Sequence, residues 1–554
     1  MSNLPSHSKD TRGSPYLRVF NPKILLRRRF LAFVIFSILC ILLIYRNDNS
    51  SFGSSPSENP VAKEVEKTGE NSYPLSTESK LVNPADKLYE SAEHKALTLE
   101  RQKRIKSDML STWTVYFKNT FGQDEINPST KEGRQSHNGW GVTVVDSLDT
   151  LLVLSSQYDY IQAKQHIKNM TFPDSSELSL FETTRRYAGG LLGAYDLMQD
   201  AIMIEKVNEL GKILVQAFDS PSGIPYTTIN LMSRKATPTN STEGSLLGEI
   251  GGIQIEFKRL AQVTGNRNFL EQSKNVISLI RQQPTRIPGL YPQSIDPSTG
   301  EFQSQVVSLE KRGHLFYDTL LKQFLFSLNM MDQYRDMYEQ SMDSLHEHLI
   351  YRDAQGRTFL SSLDEDGSQM HTMNHEACAV PGMLALGAHT LKRTKDLQVA
   401  QELMQTCIDM ADATTTGLPP SRIRWAPEHP SDTLTLEQRS QLHTLGFYLT
   451  EKEYQLWPEM TESLFLLYRV TSDRKYQEAG WKFYLALQKY CKAKYGFSGL
   501  TDTNDELSKD NRMESQFLAK TMKYLYLLFT PNDFLPIDEY LFTSGGHIIR
   551  IPRT

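Results

Sequence analysis

Two glutamates lie three positions apart in the segment "YQLWPEMTESLFLLYRVTSDRKYQ", residues 454–477. Pro458 suits the first turn of a helix, so Glu459 and Glu462 share one face of that helix. Two explanations are open for these like charges. Carboxylates in a first turn offset the positive end of the helix dipole. Alternatively, both face a cavity, where crowding raises the pKa of one carboxyl and leaves others ionised, as acid and base catalysis requires.

Similar charged heads begin six further apolar segments of the chain. Each head is followed by an apolar run, a short turn and a second amphipathic segment. This repeat predicts paired helices in two concentric rings, an all-α (α/α)7 barrel, rather than three separate domains. If the heads form the inner ring, their amino ends and charges meet at one pocket. The seven heads start at positions 144, 180, 248, 316, 374, 457 and 512.

Simpler explanations exist for several of the charged positions. Glu182 and Arg186 are spaced i, i+4 and could form a surface ion pair. Glu514 follows an asparagine by three residues, as in a capping box. Glu249 and Glu256 could lie on solvated helix faces. These explanations account poorly for the same charged head on most of the seven repeats.

The sequence lacks the common motifs of other catalytic chemistries, which leaves carboxylates as the candidate catalytic groups. The sequence has no HExxH, glycine-rich phosphate loop or GxSxG motif. The "HEH" at 346–348 is not a metal signal, because residues i and i+2 point to different sides of a helix. Several carboxylates in one cavity supply the acid and the base of glycoside hydrolysis.

The amino-terminal region predicts a type II membrane protein. Residues 1–29 are strongly basic, and the uncharged run 30–45 follows at once. We interpret them as a cytoplasmic tail and a transmembrane anchor. A cleaved signal peptide is the alternative, disfavoured by the long basic leader and by the lack of an A-x-A-like site. Residues 46–95 have the composition of a lumenal stem, and 96–554 would form the lumenal barrel domain.

The rest of the composition agrees with a secretory location. The chain of 554 residues carries a net charge of −5, and nothing in it suggests a nucleic-acid partner. Three cysteines follow the anchor, which in an oxidising lumen gives most simply one disulfide and one free thiol. Three N-x-S/T triplets are candidate glycosylation sites. The cysteines are Cys378, Cys407 and Cys491, and the triplets begin at Asn49, Asn169 and Asn240.

Many blocks of the sequence resemble the class I α-1,2-mannosidases, glycoside hydrolase family 47. They include "FGQDEINP", "VDSLDTL", "FETTRRYAGGLLGAYDL", "IQIEFKRLAQVTGNRNF", "PEMTESLFLLYRVTSDRKYQ" and "MESQFLAKTMKYLYLLF", in the order of the family, between positions 101 and 547. Members trim high-mannose N-glycans in the endoplasmic reticulum and Golgi. The resemblance implies an (α/α)7 barrel that holds Ca²⁺ at its base and hydrolyses terminal α-1,2-linked mannose with inversion.

The resemblance also implies roles for individual residues. Glu182 matches the usual candidate for the general acid, Glu459 matches a candidate base, and His314 stands at the third catalytic carboxylate. Ser544 keeps a hydroxyl where a threonine helps to hold Ca²⁺. The cysteines Cys378 and Cys407 match the disulfide of the family, which leaves Cys491 free. The candidate substrate-binding residues are Arg186, Glu249, Glu256, Arg312, His375, Glu462 and Glu514.

Several positions depart from the pattern of the family. His314 replaces an aspartate, and a general acid or base contributes about 10²- to 10⁴-fold to the rate. The other departures are Asp318 for glutamate, Trp457 for arginine, Asn374 for aspartate, Ser421 and Lys520 for glutamates, and Gly545 for a carboxylate. We therefore expect an α-1,2-mannosidase of reduced activity. The alternatives are a non-catalytic high-mannose glycan-binding or quality-control protein and a structural partner of another glycan-processing enzyme.

Overall fold

The computed structural model describes residues 91–173, 177–233, 235–237, 244–426 and 433–553. They belong to one compact unit, Ser76–Thr554. The predicted tail and anchor, most of the predicted stem, and the sequons at Asn49 and Asn240 lie outside these residues. Asn169, the remaining sequon asparagine, is exposed. Within the described ranges, no helix combines the length and the apolar character needed to cross a membrane.

Helices account for most of the described chain. In chain order they are α1 Ala92–Thr120, α2 Val142–Asp146, α3 Leu148–Val153, α4 Gln157–Asn169, α5 Leu180–Glu182, α6 Gly189–Met198, α7 Ala201–Leu214, α8 Leu247–Gly252, α9 Gln254–Thr264, α10 Arg267–Gln282, α11 His314–Phe326, α12 Asp332–His348, α13 Val380–Leu391, α14 Thr394–Asp412, α15 Leu436–Leu445, α16 Glu459–Thr471, α17 Lys475–Ala486 and α18 Met522–Leu528.

Seven helices of the described chain form a closed inner ring. Contacts run from α3 through α6, α9, α11, α13, α16 and α18, and return to α3 through the π-helical turn Phe517–Thr521. An outer helix packs on each member of the ring. The outer helices are α4 on α3, α7 on α6, α10 on α9, α12 on α11, α14 on α13, α17 on α16 and α1 on α18. The ring confirms the prediction that the seven head segments form the inner ring, although Glu182, Glu249 and Glu514 lie in the chain just before their ring helices.

Burial patterns explain the division into two rings. Almost every residue of α11 is buried, as expected for a helix enclosed on all sides. The outer helix α10 buries one stripe, which includes Phe269, Val276 and Ile280. Glycines allow the inner segments to approach closely. A Cβ on Gly190 would lie 2.3 Å from the carbonyl oxygen of Val145, so a side chain there would push these segments apart.

Short antiparallel strands connect the helices, and the sequence did not predict them. Strands of two to four residues carry no alternating run long enough to recognise. They form hairpins, except for the three-stranded sheets β3-β4-β5 and β12-β13-β14 and the separated pair β6-β7. The strands are β1 Glu125–Ile126, β2 Gly133–Arg134, β3 Glu177–Ser179, β4 Thr228–Asn230, β5 Lys235–Thr237, β6 Ser245–Leu246, β7 Ser294–Ile295, β8 Ile350–Arg352, β9 Thr358–Leu360, β10 Ser362–Leu363, β11 Gln369–Met370, β12 Thr372–Asn374, β13 Arg422–Arg424, β14 Tyr448–Glu451, β15 Lys492–Ala493, β16 Gly496–Phe497, β17 Tyr540–Phe542 and β18 Ile548–Arg550.

The carboxyl-terminal hairpin β17–β18 packs against the inner ring. Leu541 pairs with Ile549 across the hairpin. The backbone N–H of Ile548 donates to Asp149 of α3 at 3.0 Å. His547, in the turn of the hairpin, is fully buried, and its Nε2 lies 3.0 Å from Asp146 Oδ1. These contacts hold the hairpin turn at the floor of the site described below.

The predicted disulfide is confirmed. Cys378 and Cys407 are bonded and join the 3₁₀ turn His375–Ala379 to α14. Cys491 is a buried free thiol. The bond closes a chain segment next to a predicted site residue, His375, and so restricts the unfolded chain around the site.

Candidate active site

The amino ends of the inner helices meet at one end of the ring. Arg312, two residues before α11, donates from Nη2 to Glu182 Oε1 at 3.0 Å and pairs through Nη1 with Glu249 of α8. At the other end of the ring, Arg469 near the end of α16 donates to the carbonyl oxygens of Leu527 and Pro531 beside the end of α18. The inner helices therefore run parallel, and their charged heads share one site.

Three arginines surround the carboxylate of Glu182. Arg185 Nε and Arg186 Nε lie 2.9 Å and 2.7 Å from Glu182 Oε2, and Arg312 binds the other oxygen. Burial acts to raise the pKa of Glu182, but the three guanidinium groups outweigh it and hold this pKa well below its ordinary value. The explanation of Glu182 and Arg186 as a surface ion pair is therefore wrong. Glu182 is ionised at neutral pH.

Arg186 connects this carboxylate to the head of the last inner segment. Its Nη1 donates to Ser515 Oγ at 2.7 Å, and its Nη2 lies 3.6 Å from Glu514 Oε2. The capping-box explanation of Glu514 is wrong, because Asn511 accepts from the backbone N–H of Ser129 at 2.8 Å. Glu514 instead stands at the rim of the site with about 31% of its side chain exposed.

A second part of the site contains Glu459. The ring of His375 stacks on Trp457 at 3.5 Å between centroids and an angle of 8°. His375 Nε2 lies 3.8 Å from Glu459 Oε2, and this oxygen has no hydrogen-bond partner among the described residues. Burial is the largest cause that raises the pKa of Glu459 to about 7, and the nearby carboxylate of Glu376 adds to it against Lys520.

Glu459 and Glu462 have opposite environments although they share one turn of α16. Lys520 Nζ lies 3.1 Å from Glu462 Oε2, and Tyr524 donates to Oε1 at 3.1 Å. Burial acts to raise the pKa of Glu462, but Lys520 and Lys322 lower it below its ordinary value. One carboxyl therefore holds a proton near neutral pH while the other is ionised. The helix dipole alone does not explain this pair.

The raised pKa of Glu459 predicts a pH dependence of stability. Between the ordinary pKa of 4.5 and the folded value of about 7, the unfolded chain loses a proton that the folded chain keeps. Stability from this group therefore falls as pH rises through that window, by at most on the order of 3 kcal/mol. We expect Glu459→Gln to reduce the fall in the free energy of unfolding between pH 5 and pH 7.5, measured by urea denaturation.

The matched control for this pH dependence is Glu462→Gln. The folded pKa of Glu462 is lowered, so its contribution is lost only as pH falls below the ordinary range of a carboxyl. This variant should keep the wild-type slope between pH 5 and pH 7.5. An unchanged slope in Glu459→Gln would show that Glu459 does not hold its proton in the folded chain.

His314 is the first residue of α11 and lies at the floor of the site. Its Nδ1 is 3.2 Å from the carbonyl oxygen of Leu309, so the Nδ1–H tautomer donates there and leaves Nε2 as an acceptor. Burial lowers the pKa of His314, although the carboxylate of Glu376 opposes it. A neutral imidazole with an available Nε2 can take up a proton.

Glu249 and Glu256 are not on solvated faces, and that explanation is wrong for both. Burial raises the pKa of Glu249, while Arg312 lowers it. Glu256 is 1% exposed, and its Oε2 has no hydrogen-bond partner within the described part of the chain. Burial raises the pKa of Glu256 to about 7. Glu249 belongs to the arginine cluster, and Glu256 lies below it beside the hairpin turn.

Arg185, His137 and Glu376 are polar residues of the site that were not assigned from the sequence. His137 Nε2 lies 3.9 Å from Glu182 Oε2, and Glu376 accepts from the backbone N–H of Arg312 at 2.8 Å. Glu376 follows His375 directly in one of the charged heads, and that position was a usable signal. His137 comes from the loop before α2, where no periodic pattern marks it.

The residues around Ser544 do not fit the Ca²⁺ implied by the family resemblance. Lys520 Nζ donates to the carbonyl oxygen of Ser544 at 3.1 Å, and Ser544 Oγ is 3.5 Å from Glu256 Oε1. Ca²⁺ takes six to eight oxygen ligands at about 2.3–2.6 Å. Unit charges about 4 Å apart repel by about 4 kcal/mol at an effective dielectric constant of 20, and a divalent ion doubles this. An ammonium on the same carbonyl oxygen therefore opposes Ca²⁺ binding.

Comparison with known proteins agrees with this architecture. Residues 108–551 match the family model of glycosyl hydrolase family 47. Mannosyl-oligosaccharide 1,2-alpha-mannosidase MNS1 of Arabidopsis thaliana is 34% identical over 461 residues, which cover 82% of this chain and 79% of the relative. Mannosyl-oligosaccharide 1,2-alpha-mannosidase IB of Homo sapiens is 32% identical over 81% of this chain and 69% of its own length.

A solved structure of an alpha-1,2-mannosidase has a similar fold. The alpha-1,2-mannosidase from Trichoderma reesei superimposes with a TM-score of 0.77 at 26% sequence identity, over 82% of this chain and 99% of that chain. The match extends over nearly the whole of that enzyme. The barrel, its converging charged heads and these similarities together show that the chain belongs to glycosyl hydrolase family 47.

Proposed function

We propose that this chain is a class I α-1,2-mannosidase-like glycoside hydrolase. It removes terminal α-1,2-linked mannose from high-mannose N-glycans with inversion, at a rate reduced by its substitutions. The main support for this proposal is the difference between two carboxyls of the same site. The pKa of Glu182 is held well below its ordinary value, while that of Glu459 is raised to about 7. Carboxyls whose environments push their pKa values apart supply an acid and a base. The names of the relatives, mannosyl-oligosaccharide 1,2-alpha-mannosidases, support the substrate.

The pKa directions favour particular roles for the residues. Glu459 donates its proton to the glycosidic oxygen as the bond from that oxygen to the anomeric carbon breaks. A water attacks the anomeric carbon from the opposite face and loses a proton to a base. This assignment reverses the roles of Glu182 and Glu459 expected from the family resemblance. Glu182, held by three arginines, is a weak base, and the neutral imidazole of His314 is the second candidate.

The rim of the site supports sugar binding. Arg312 has 39% of its side chain exposed, and Glu514 is also accessible. Both can bind sugar hydroxyls. The indole of Trp457 is partly exposed and stacked on His375, which gives the rim a flat apolar face. These are the polar and aromatic groups that a small, specific ligand site combines.

The experiment is hydrolysis of a Man9 glycan by the purified full chain. Free mannose would be quantified by chromatography, and the first product anomer identified by NMR. We expect slow release of β-mannose, because inversion of an α-linkage gives the β-anomer. Release of α-mannose would contradict the inverting mechanism, and absence of release at high enzyme concentration would contradict the hydrolase proposal.

A non-catalytic high-mannose glycan-binding or quality-control protein is the second candidate. The clamp of three arginines on Glu182 favours it, because it weakens one of the two carboxyls as a base. Saturable binding of Man9 by calorimetry without mannose release would support this candidate over the first. If the chain neither releases mannose nor binds Man9, the remaining candidate is a structural partner of another glycan-processing enzyme.

We also propose a secretory location with type II topology, in the endoplasmic reticulum or Golgi membrane. A tail at 1–29, an anchor at 30–45 and a stem at 46–95 would precede the lumenal barrel domain at 96–554. One relative, 33% identical, is named endoplasmic reticulum mannosyl-oligosaccharide 1,2-alpha-mannosidase of Mus musculus. The disulfide Cys378–Cys407 also suits an oxidising lumen. Protection of the barrel from protease in sealed microsomes tests this topology, and digestion there would contradict it.

A further inference from the structure

We propose that the ammonium group of Lys520 takes the place of a bound cation at the floor of the barrel, so that the domain maintains its site without Ca²⁺. This inference concerns the folded domain and does not rest on hydrolysis. It follows from the contacts of Lys520, from the shape of the hairpin turn beside it, and from the charges of the surrounding side chains.

Lys520 joins two elements of the floor through its ammonium group. Its Nζ donates to the carbonyl oxygen of Ser544 at 3.1 Å and lies 3.1 Å from Glu462 Oε2. One contact reaches the turn of the hairpin β17–β18, and the other reaches α16. The side chain is only 7% exposed. A buried ammonium with a carboxylate and a carbonyl oxygen as partners is a satisfied charge, which is the condition for its stability there.

Lys520 lies in an irregular part of the inner ring. Lys520 belongs to the π-helical turn Phe517–Thr521, which interrupts the regular spacing before α18. A π-helical turn inserts one extra residue per turn and changes the direction of nearby side chains. In this turn, a positively charged lysine stands at the position where the family resemblance expects a glutamate.

The hairpin turn is shaped around the lysine. Gly546 has a φ of +75°, and a Cβ there would lie 2.7 Å from Lys520 Cγ. A Cβ on Gly545 would lie 2.3 Å from the carbonyl oxygen of Arg185. Neither position has room for a side chain in this conformation. Because both residues are glycines, the turn offers a metal ion no side-chain carboxylate at these two positions and leaves space for the stem of Lys520.

The buried charges beside Ser544 are already paired. Glu462 is paired with Lys520, and Asp318 is paired with Lys322 one turn further along α11. A divalent ion at Ser544 would place two further positive charges beside the ammonium of Lys520, which already binds the same carbonyl oxygen.

The first test measures calcium binding by the wild-type full chain. The midpoint of thermal unfolding is compared in 5 mM CaCl₂ and in 5 mM EGTA, and Ca²⁺ is titrated into the EGTA-treated, dialysed protein by calorimetry. We expect equal midpoints and no saturable heat. A midpoint raised by Ca²⁺, together with saturable binding, would overturn the inference whether or not the chain hydrolyses mannosides.

The second test uses Lys520→Gln, with Lys523→Gln as the matched control. Lys523 lies three residues further along and is also buried. Its ammonium donates to both carboxylate oxygens of Asp149 at 2.9 Å. Both variants should unfold at lower temperature than wild type. Only Lys520→Gln frees Glu462 and the Ser544 carbonyl oxygen, so we expect Ca²⁺ to raise its midpoint by several degrees and to leave that of Lys523→Gln unchanged.

The variants distinguish the proposed role of Lys520 from a general effect of losing a buried charge. A Lys520→Gln protein that gains no response to Ca²⁺, or a Lys523→Gln protein that gains the same response, would overturn the inference. If either variant fails to fold, the wild-type comparison decides the question alone, because a calcium-stabilised wild type contradicts a site whose cation is Lys520.

Discussion

Glu459→Gln is expected to lower the rate of mannose release from Man9 by about 10²- to 10⁴-fold, the usual contribution of a general acid or base. The side-chain amide keeps the shape of the protonated carboxyl but cannot deliver its proton to the leaving oxygen. Only 16% of the Glu459 side chain is exposed, and its Oε2 has no hydrogen-bond partner among the described residues. The substitution should therefore preserve stability at pH 7 and glycan binding. Initial rates, the midpoint of unfolding and the dissociation constant for Man9 check the three parts.

Glu462→Gln is the control for this prediction, because it removes a carboxylate from the same helix turn. It leaves the buried ammonium of Lys520 without its carboxylate partner. Breaking a buried ion pair in this way costs about 3–5 kcal/mol, so Glu462→Gln should lower the midpoint of unfolding markedly. Equal losses of rate and stability in the two variants would contradict a catalytic role for Glu459 and indicate that both glutamates act through the fold.

The ring of inner helices was predictable because each helix repeats a local pattern. The segment at 457–470 has its two glutamates within one turn, followed by a mainly apolar run up to Arg469, and α16 begins at Glu459 as this pattern requires. Parallel inner helices with similar heads must bring those heads together. The convergence of Glu182, Glu249 and Arg312 is a consequence of that symmetry.

The pairing within the site was not predictable from local patterns. Glu182 and Arg312 are 130 residues apart, and their contact depends on a loop that places Arg312 in a left-handed conformation with φ 66°. The stack of His375 on Trp457 joins two helix heads in the same way. Nothing in the sequence near Glu459 indicates that its pKa is raised while that of Glu462 is lowered. That difference arises because Lys520 contacts one carboxyl directly and not the other.

The substitution at Lys520 can be recognised from the sequence, but the contact that its ammonium makes cannot. In the sequence it is a missing glutamate, which suggests a weakened ion site. In the structure its ammonium binds the carbonyl oxygen of Ser544, 24 residues further along the chain. That contact depends on the π-helical turn and on the hairpin, and short strands and π turns leave no periodic signal. The sequence therefore identified the altered position but not the group that occupies the floor.

His314→Asp is expected to raise the rate of mannose release by about 10²-fold, the lower part of the range for a general base. The new carboxylate would be buried at the start of α11, near the carboxylates of Asp318, Glu376 and Glu462. Burial and these like charges raise the pKa of an aspartate, which brings it closer to neutral pH and makes it a stronger base than an isolated carboxylate. Initial rates with Man9 at pH 6 and pH 7.5 measure the gain.

His314→Asn separates the charge of the new side chain from its shape, because asparagine matches aspartate in size and cannot take up a proton. We expect no gain in this variant. An equal gain in both would mean that removing the imidazole opens the site, since no base has been added. If His314→Asp gains no activity, other departures from the family pattern limit the rate of mannose release. The main ones are Trp457 on the rim and Lys520 on the floor. Trp457 stacks on His375 and Lys520 binds Ser544 and Glu462, and restoring one carboxylate at position 314 changes neither contact.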